Sequence, residues 1–353
     1  MPKIKVAVIG CGSIGTNAHI PNYMLNKDLC EIKYFCDIIP ERAEAQVAKN
    51  GCGKAVANYR DFLNDPELDA VSVCTPNNVH ASISIDFLRA GKHVLCEKPA
   101  ARTYAEALEM QKAQNETGKI LNIGVVNRFN GAVNKIKEMV SNGDLGDLYA
   151  IYGSFRAQRS IPGLGGDFTN KAVSGGGVLI DWGVHILDLI MYISGDPLPK
   201  TVSGHAFCEL AKDMSRYVYQ DMWSGPPNLN GVYDVDDYVT GLIRTAGPTI
   251  TINGAWAQNV SSDGIFIDFM GTRGGVHLEY GGDFTFFTDR DKKLVSERPD
   301  YDKTDHFFNE ISAFLRCVQT GEKLPSHIDT VVITAKIMQA LYDSSDMGKE
   351  IQF

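Results

Sequence analysis

Residues 4 to 15 read IKVAVIGCGSIG, an apolar run that leads directly into three glycines, Gly10, Gly12 and Gly15, with the spacing G-x-G-x-x-G. The run predicts a buried strand, and the residues after the glycines predict a helix. Between a strand and a helix, this spacing is typical of a turn that binds the pyrophosphate of a dinucleotide. Gly10 permits the tight turn, Gly12 lets the backbone approach the phosphates, and Gly15 allows the helix to pack closely on the strand. The N–H groups at the start of the helix, at Ser13 and Ile14, favour the anionic phosphates.

A second apolar strand ends in Asp37, which lies 22 residues after Gly15. The acid that binds the adenosine ribose is expected about 20 residues after such a turn. The Asp37 carboxylate would accept hydrogen bonds from a free 2′-hydroxyl and repel a 2′-phosphate, and no cation follows before Arg42. The sequence therefore predicts NAD rather than NADP, with Asp37 and Ile38 at the adenosine end. A glycine turn without a ligand, followed by a surface aspartate, is the structural alternative.

Length and composition exclude several classes of protein. A chain of 353 residues exceeds a usual single core and predicts two domains. The net charge of −9 argues against a surface for nucleic acid or anionic membranes. Apolar runs fall short of a membrane span, and a first strand beginning at residue 4 leaves no room for a signal peptide. The eight cysteines include no CxxC pair and no clustered zinc ligands, so we expect no metal, reduced thiols and a cytoplasmic protein.

The pattern of elements changes near residue 125. Residues 1–125 alternate strand and helix, which predicts an α/β Rossmann domain with a parallel sheet. Ligands of such sheets bind at the carboxyl ends of the strands, where the chain carries Thr75-Pro76-Asn77 and Glu97-Lys98-Pro99. Residues 126–353 predict a second α/β domain with a large, mainly antiparallel open sheet for substrate binding and oligomerisation. We expect a homo-oligomer, because the helices after residue 130 are too few to cover that sheet.

A second informative segment reads GGGVLIDWGVHILD and begins at Gly175. It places Asp181 four residues before His185, so on a helix the two side chains share a face, about 5–6 Å apart at Cβ. Such a histidine can take the proton of an alcohol while the carboxylate supports its charge. Lys98 could stabilise alkoxide-like charge on the same oxygen. The alternatives are a structural ion pair on the helix and a solvated lysine.

Taken together, these motifs resemble the glucose–fructose oxidoreductase / inositol dehydrogenase family (Gfo/Idh/MocA) over nearly the whole chain. The resemblance implies that Lys98 and His185 are catalytic, with Asp181 beside them. Asp188 is a further candidate, for which a structural role is equally open. The residues that the resemblance assigns to the cofactor are Thr75, Pro76, Asn77, His80, Glu97, Lys98 and Asn127.

The substrate is expected to be a sugar, glycoside or cyclitol that loses hydride from a secondary carbinol carbon to NAD. Two irregular segments, 156–177 and 213–235, are rich in hydrogen-bonding and aromatic side chains, which suits something larger than a free cyclitol. The candidate substrate residues are Arg128, Arg156, Arg159, Phe168, Asn170, Lys171, Asp181 and His185. The nearest subgroup is expected to be bacterial dehydrogenases that oxidise C3 of glucosides, including C-glycosides. An inositol dehydrogenase and a non-catalytic dinucleotide-binding sensor are the alternatives.

Overall fold

A computed structural model describes residues 2–220 and 222–353, which form two compact units. The first unit extends to Phe129 and also contains Thr304–Val332, whereas the second contains Asn130–Lys303 and Ile333–Phe353. This grouping differs from the single division expected at residue 125. The segment from residue 304 returns to the first unit because Ile311, Phe314 and Leu315 are buried in that unit's core.

The first unit contains a six-stranded sheet in which every strand pair is parallel. Its strands are β1 (Ile4–Ile9), β2 (Cys30–Cys36), β3 (Lys54–Val56), β4 (Ala70–Val73), β5 (His93–Glu97) and β6 (Leu121–Gly124). Its helices are α1 (Ile20–Leu25), α2 (Pro40–Asn50), α3 (His80–Arg89), α4 (Tyr104–Thr117) and α8 (His306–Thr320). The spatial order β3-β2-β1-β4-β5-β6 confirms the expected Rossmann fold. The strand order reverses between β1 and β4, so ligands are expected at the carboxyl ends of these two strands.

The second unit contains a nine-stranded mixed sheet in the order β14-β13-β12-β11-β7-β10-β9-β8-β15. All pairs are antiparallel except β7 with β10, which confirms a mainly antiparallel sheet. The strands are β7 (Leu148–Arg156), β8 (Pro199–Phe207), β9 (Tyr238–Thr245), β10 (Thr249–Ala255), β11 (Gly264–Gly271), β12 (Gly274–Glu279), β13 (Phe284–Arg290), β14 (Lys293–Glu297) and β15 (Ile351–Gln352). The helices are α5 (Gly131–Ser141), α6 (Lys171–Ser174), α7 (Val184–Ile193) and most of α9 (Ile328–Met347), the helix at which the two units divide.

Helix α7 lies against the sheet because Gly153 on β7 has no side chain. A Cβ at Gly153 would lie 2.7 Å from the Cγ2 of Ile186 and 3.1 Å from the Cδ1 of Ile190. The helical stretch Lys171–Ile193 is long and apolar enough to cross a membrane, but 89% of its apolar window is buried inside the protein. We therefore interpret it as a core helix of the second unit, whose apolar residues are buried inside the protein.

Candidate functional site

The glycine turn after β1 is shaped by the packing of the protein at two of its three glycines. Gly10 has φ +96°, and a Cβ there would lie 2.3 Å from the Cys74 carbonyl oxygen. A Cβ at Gly15 would lie 2.1 Å from the Gly10 oxygen, whereas a Cβ at Gly12 would meet nothing within 4 Å. Space beside Gly12 is what close approach of a pyrophosphate requires. This geometry fits a dinucleotide at the turn.

Asp37 lies at the end of β2 beside this turn and is 7% exposed. One of its carboxylate oxygens accepts the Cys11 N–H at 2.8 Å, and the other accepts the Ile39 N–H at 2.9 Å. Each carboxylate oxygen can accept a further hydrogen bond, which leaves capacity for ribose hydroxyls. Ile38 is 89% exposed, and Ser13 is exposed at the start of the helix.

A helix with one wider turn follows the glycines. Its π-helical turn, Gly15–His19, runs into α1 and ends at a fully buried histidine, His19. The imidazole of His19 contacts the Glu97 carboxylate at 2.8 Å through Nε2 and the Ser72 hydroxyl at 3.1 Å through Nδ1. The sequence analysis missed His19, because a histidine inside an apolar helix carries no pattern of its own.

Glu97 and Lys98 follow one another at the carboxyl end of β5 but differ in burial. The Glu97 carboxylate is buried, bonded to His19 and accepts the backbone N–H of Lys98 at 3.0 Å. Burial opposes its charge, but the His19 hydrogen bond and the charges of His19 and Lys98 lower the pKa of Glu97. Glu97 therefore has internal partners that hold the backbone of the half-buried Lys98, and its contact with the cofactor stays a prediction.

His80, expected to contact the cofactor, is instead bonded to the protein's own backbone. It is 1% exposed, with Nε2 2.8 Å from the Thr75 carbonyl oxygen and Nδ1 2.8 Å from that of Pro99. Thr75 and Asn77 are half-buried after β4, and Pro76 between them is exposed. His80 thus joins the two strand-end segments that the sequence predicts at the cofactor, and a contact of its own with the cofactor stays a prediction.

Asn127 and Arg128 lie in a buried turn, Val126–Phe129. The Arg128 guanidinium is 1% exposed and donates to the Pro325 carbonyl at 2.6 Å and to the Thr330 hydroxyl at 2.9 Å. These bonds tie the turn to the returning segment of the first unit. The guanidinium is therefore buried and bonded to the protein itself, and a contact of Arg128 with substrate stays a prediction.

Asp181 and His185 lie on one helical segment of the second unit. Asp181 belongs to a π-helical turn, Leu179–Gly183, and His185 to the helix α7 that continues it. Both are half-buried, and the His185 ring lies 5.9 Å from the ring of Tyr280. Wider turns of this kind are frequent at functional sites. Tyr280 follows β12 and has no sequence signal that relates it to His185.

The start of this helical segment is held by Asp236, which the sequence analysis also missed. Its carboxylate accepts the N–H of Gly177 at 2.7 Å, the N–H of Leu179 at 2.9 Å and the hydroxyl of Tyr342 at 2.7 Å. A Cβ at Gly177 would lie 1.9 Å from the backbone carbonyl oxygen of Asp236, so the glycine permits the close approach of these two backbone segments. A carboxylate at a helix N-terminus satisfies unpaired N–H groups and is stabilised by the helix dipole.

Asp188 is a structural acid rather than a group at the surface. It is 2% exposed, and the Thr334 hydroxyl donates to it at 3.4 Å.

The two irregular segments expected to bind substrate fold together. The Ser224 N–H donates to the Pro162 carbonyl at 2.9 Å and the Asn228 N–H to the Leu164 carbonyl at 2.8 Å. At their outer end the rings of Phe168 and Trp223 meet edge to face at 5.0 Å. Segments 156–177 and 213–235, which are far apart in the sequence, therefore form one surface.

Some of the polar side chains predicted to bind substrate in these segments are bonded within the protein, and others are exposed or half-buried. Arg159 donates to the carbonyls of Gln158 and Gln258 and to the Asn259 side chain at 2.5–2.7 Å, and its contact with substrate stays a prediction. Asn170 accepts the Ala172 N–H as the cap of α6. Lys171 is exposed and Arg156 is half-buried, with its Nε 3.3 Å from the Ser154 hydroxyl.

Metal chemistry has no support in the described residues. In residues 2–220 and 222–353, no group of three or more His, Cys, Asp or Glu side chains is placed to hold a metal ion. All eight cysteines are free thiols.

Comparison with known proteins agrees with this geometry. Residues 4–125 match the Gfo/Idh/MocA oxidoreductase family, NAD-binding Rossmann fold, and residues 133–277 match the Gfo/Idh/MocA C-terminal domain. The D-glucoside 3-dehydrogenase of Escherichia coli K12 is 30% identical over 99% of this chain and 97% of its own length. The myo-inositol 2-dehydrogenase of Thermotoga maritima is 31% identical over 55% of each chain. A levoglucosan dehydrogenase solved with NADH and levoglucosan shares the fold with a TM-score of 0.87, 21% identity and 99% of both chains.

Proposed function

The chain belongs to the Gfo/Idh/MocA oxidoreductase family, and we propose that it is an NAD-dependent dehydrogenase that oxidises the C3 hydroxyl of a glucoside to a ketone. The observation that carries this proposal is the likeness to D-glucoside 3-dehydrogenase over 99% of the chain, in a protein that keeps Lys98, Asp181 and His185. The presence of Lys98, Asp181 and His185 also argues against a non-catalytic sensor.

The proposed roles follow from the chemistry of each side chain. NAD, when bound, accepts the hydride from the carbinol carbon. The His185 imidazole accepts the hydroxyl proton, and the Asp181 carboxylate supports the resulting charge. The Lys98 ammonium donates to the same oxygen and stabilises its developing negative charge. The cofactor contacts are assigned to the glycine turn, to Ser13 and Ile14, to Asp37 and Ile38, and to residues 75–77, Lys98 and Asn127.

Substrate contacts are assigned to the exposed and half-buried groups of the second unit. The rings of Phe168 and Trp223 present an aromatic surface suited to a sugar ring or an aromatic aglycone. Tyr280 beside His185 offers a second such face. Arg156 and Lys171 supply donors for hydroxyl groups.

A screen for NADH formation with methyl and aryl glucosides, free hexoses and inositols, with NMR of the product, tests the proposal. A 3-keto-glucoside is the expected product. Preferential oxidation of an inositol would instead support the second candidate, which the similarity to myo-inositol 2-dehydrogenase over about half the chain favours.

Variants of Lys98, Asp181 and His185 test the role proposed for each side chain. We expect Lys98→Met and His185→Ala to lower kcat by roughly 10²-fold or more, and Asp181→Asn to retain more activity than His185→Ala. NAD affinity should change little in all three, because none of these residues is assigned to the phosphates or the adenosine of NAD. His205→Ala, at an exposed histidine of β8, is the control and should leave kcat unchanged. Near-normal turnover by His185→Ala would show that the base is another group.

We also propose a cytoplasmic homo-oligomer built through the second unit. Helix α7 covers one face of the nine-stranded sheet, whereas aromatic side chains such as Tyr152 and Phe266 are half-exposed on the sheet and lie 5.8 Å apart. A second copy would cover them, as closed symmetric assemblies commonly do. A single species of monomer mass in sedimentation at micromolar concentration would reject the oligomer.

A further inference from the structure

Two buried histidines of the first unit converge on the backbone around Lys98. His19, at the end of the helical turn that follows the glycines, contacts the Glu97 carboxylate at 2.8 Å. The other oxygen of that carboxylate accepts the Lys98 N–H at 3.0 Å. His80, at the start of α3, lies 2.8 Å from the carbonyl oxygen of Pro99. The backbone N–H of Lys98 is therefore held by His19 through the Glu97 carboxylate, and the carbonyl of the next residue, Pro99, is held directly by His80.

Each histidine also reaches an element that belongs to the predicted cofactor site. His80 is 2.8 Å from the Thr75 carbonyl oxygen, so one ring joins the segment after β4 to the segment after β5. His19 belongs to the helix that begins at the phosphate-binding turn, and Ser72 on β4 orients its second nitrogen at 3.1 Å. Gly124 leaves room for the Glu97 carboxylate, since a Cβ there would lie 3.1 Å from its carboxyl carbon.

The hydrogen-bonding partners of His80 also define its charge. Carbonyl oxygens accept hydrogen bonds and never donate them, so both ring nitrogens must carry a proton to make two good bonds. A neutral ring would place a nitrogen lone pair against an oxygen lone pair at 2.8 Å. Burial lowers the pKa of His80, but the Cys96 sulfur and the carbonyl oxygens of Pro99 and Thr75 outweigh burial and raise it to about 9. Cys96 of β5 is the titratable side chain that acts on this ring.

We propose that His19 and His80 are positioning residues that fix Lys98 relative to the NAD-binding elements, with His80 acting as a buried imidazolium. Neither side chain is assigned to substrate or to the reacting atoms. Both act through the backbone, His80 through Pro99 and His19 through Glu97. The kinetic part of this proposal depends on the catalytic role proposed for Lys98, whereas the charge state of His80 does not.

A double-mutant cycle separates positioning from general structural damage. His80→Gln and His19→Gln should each lower kcat by about 10-fold or more, since small displacements of a catalytic group are costly. In a Lys98→Met background the same substitutions should lower the residual kcat less than about 3-fold, because the group that they position is gone. An equal fold-loss with and without Lys98 would overturn the proposal. Wild-type turnover by Lys98→Met would instead contradict the proposed function.

His93→Gln provides a matched control on the same strand. His93 lies at the opposite end of β5, is half-buried and accepts the Ile120 N–H through Nδ1 at 3.2 Å. Burial, followed by the charge of Lys119, lowers its pKa to about 4, so it is neutral. His93→Gln should keep the kcat of the wild type. A loss as large as that of His80→Gln would show that any change on β5 disturbs Lys98.

Nitrogen-15 NMR of histidine-labelled wild-type protein tests the charge of His80 without any need for turnover. The signal lost in His80→Gln should show two protonated nitrogens between pH 6 and 8, while the His93 signal should show a neutral ring. A neutral His80 ring at pH 7 would overturn the imidazolium assignment even if the kinetic cycle succeeded.

Discussion

Replacing Asp236 by asparagine should weaken the start of the helical segment that carries Asp181 and His185. Asp236 is 5% exposed, and one of its oxygens accepts the Gly177 N–H and the Tyr342 hydroxyl while the other accepts the Leu179 N–H. An asparagine amide group must point its NH2 at one of the two backbone N–H groups, whichever way it is turned. One buried donor is then left without an acceptor.

The size of the effect follows from these contacts. A buried donor left unsatisfied costs about 1–3 kcal/mol, and bonds to a charged acceptor are at the upper end of that range. For a unit of this size, each kcal/mol lowers Tm by roughly 2–4 °C. We therefore expect Asp236→Asn to lower the Tm of the second unit by about 4–10 °C. Tyr342→Phe removes a single hydroxyl donor and should cost only about 1 kcal/mol.

Tryptophan fluorescence isolates the relevant unit, because Trp182, Trp223 and Trp256 all lie within it. Thermal unfolding followed at this signal gives the stability, and NAD titration gives an independent measure of the first unit. We expect kcat of Asp236→Asn to fall about 10-fold at unchanged NAD affinity, since a displaced helix start moves Asp181 and His185, the proposed catalytic pair. A Tm equal to that of the wild type, or a larger loss in Tyr342→Phe than in Asp236→Asn, would refute the reasoning.

The fold was largely predictable because strand and helix periodicity is a local property. The alternation over residues 1–125 and the short apolar runs after residue 148 predict the two sheets that the structure contains. Strands β3, β14 and β15 were missed, since two to five residues at a sheet edge carry little pattern. The return of residues 304–332 to the first unit was missed because an amphipathic helix does not encode which core it covers.

The candidate site was predictable where a motif assigns a single structural or binding role to a residue type. Glycines in a turn and an acid after the second strand fall where the motif predicts, and Gly12 leaves the space that a pyrophosphate needs. Arginine and histidine have many uses, so Arg128, Arg159 and His80 were assigned to ligands although backbone carbonyls take their donors. Such bonds join residues far apart in sequence, and no local spacing reveals them.

Three further predictions concern the first unit. Gly12→Ala should keep the Tm of the wild type but weaken NAD binding, because the added Cβ meets no protein atom within 4 Å. Gly10→Ala should destabilise the unit, because its added Cβ would clash with the backbone of Cys74. Equal losses of Tm in the two variants would contradict this expectation. Asp37→Ser should weaken NAD binding and narrow its advantage over NADP in cofactor titrations, and equal affinity of the wild type for both cofactors would reject the assignment. The last concerns Glu310, whose carboxylate oxygens are buried without a hydrogen-bond partner in the part of the chain that the structure describes. Burial, followed by the Glu97 charge, raises the pKa of Glu310 well above its usual value. A raised folded-state pKa means that the folded protein binds this proton more tightly than the unfolded chain, so stability is lost as pH rises from about 4.5 towards the folded pKa. Glu310→Gln cannot lose a proton, so its Tm should exceed that of the wild type at pH 8, and this advantage should shrink as the pH falls to 4.5. An advantage in Tm that does not change between these two pH values would show that Glu310 titrates alike in the folded and unfolded states, so that its folded pKa is not raised.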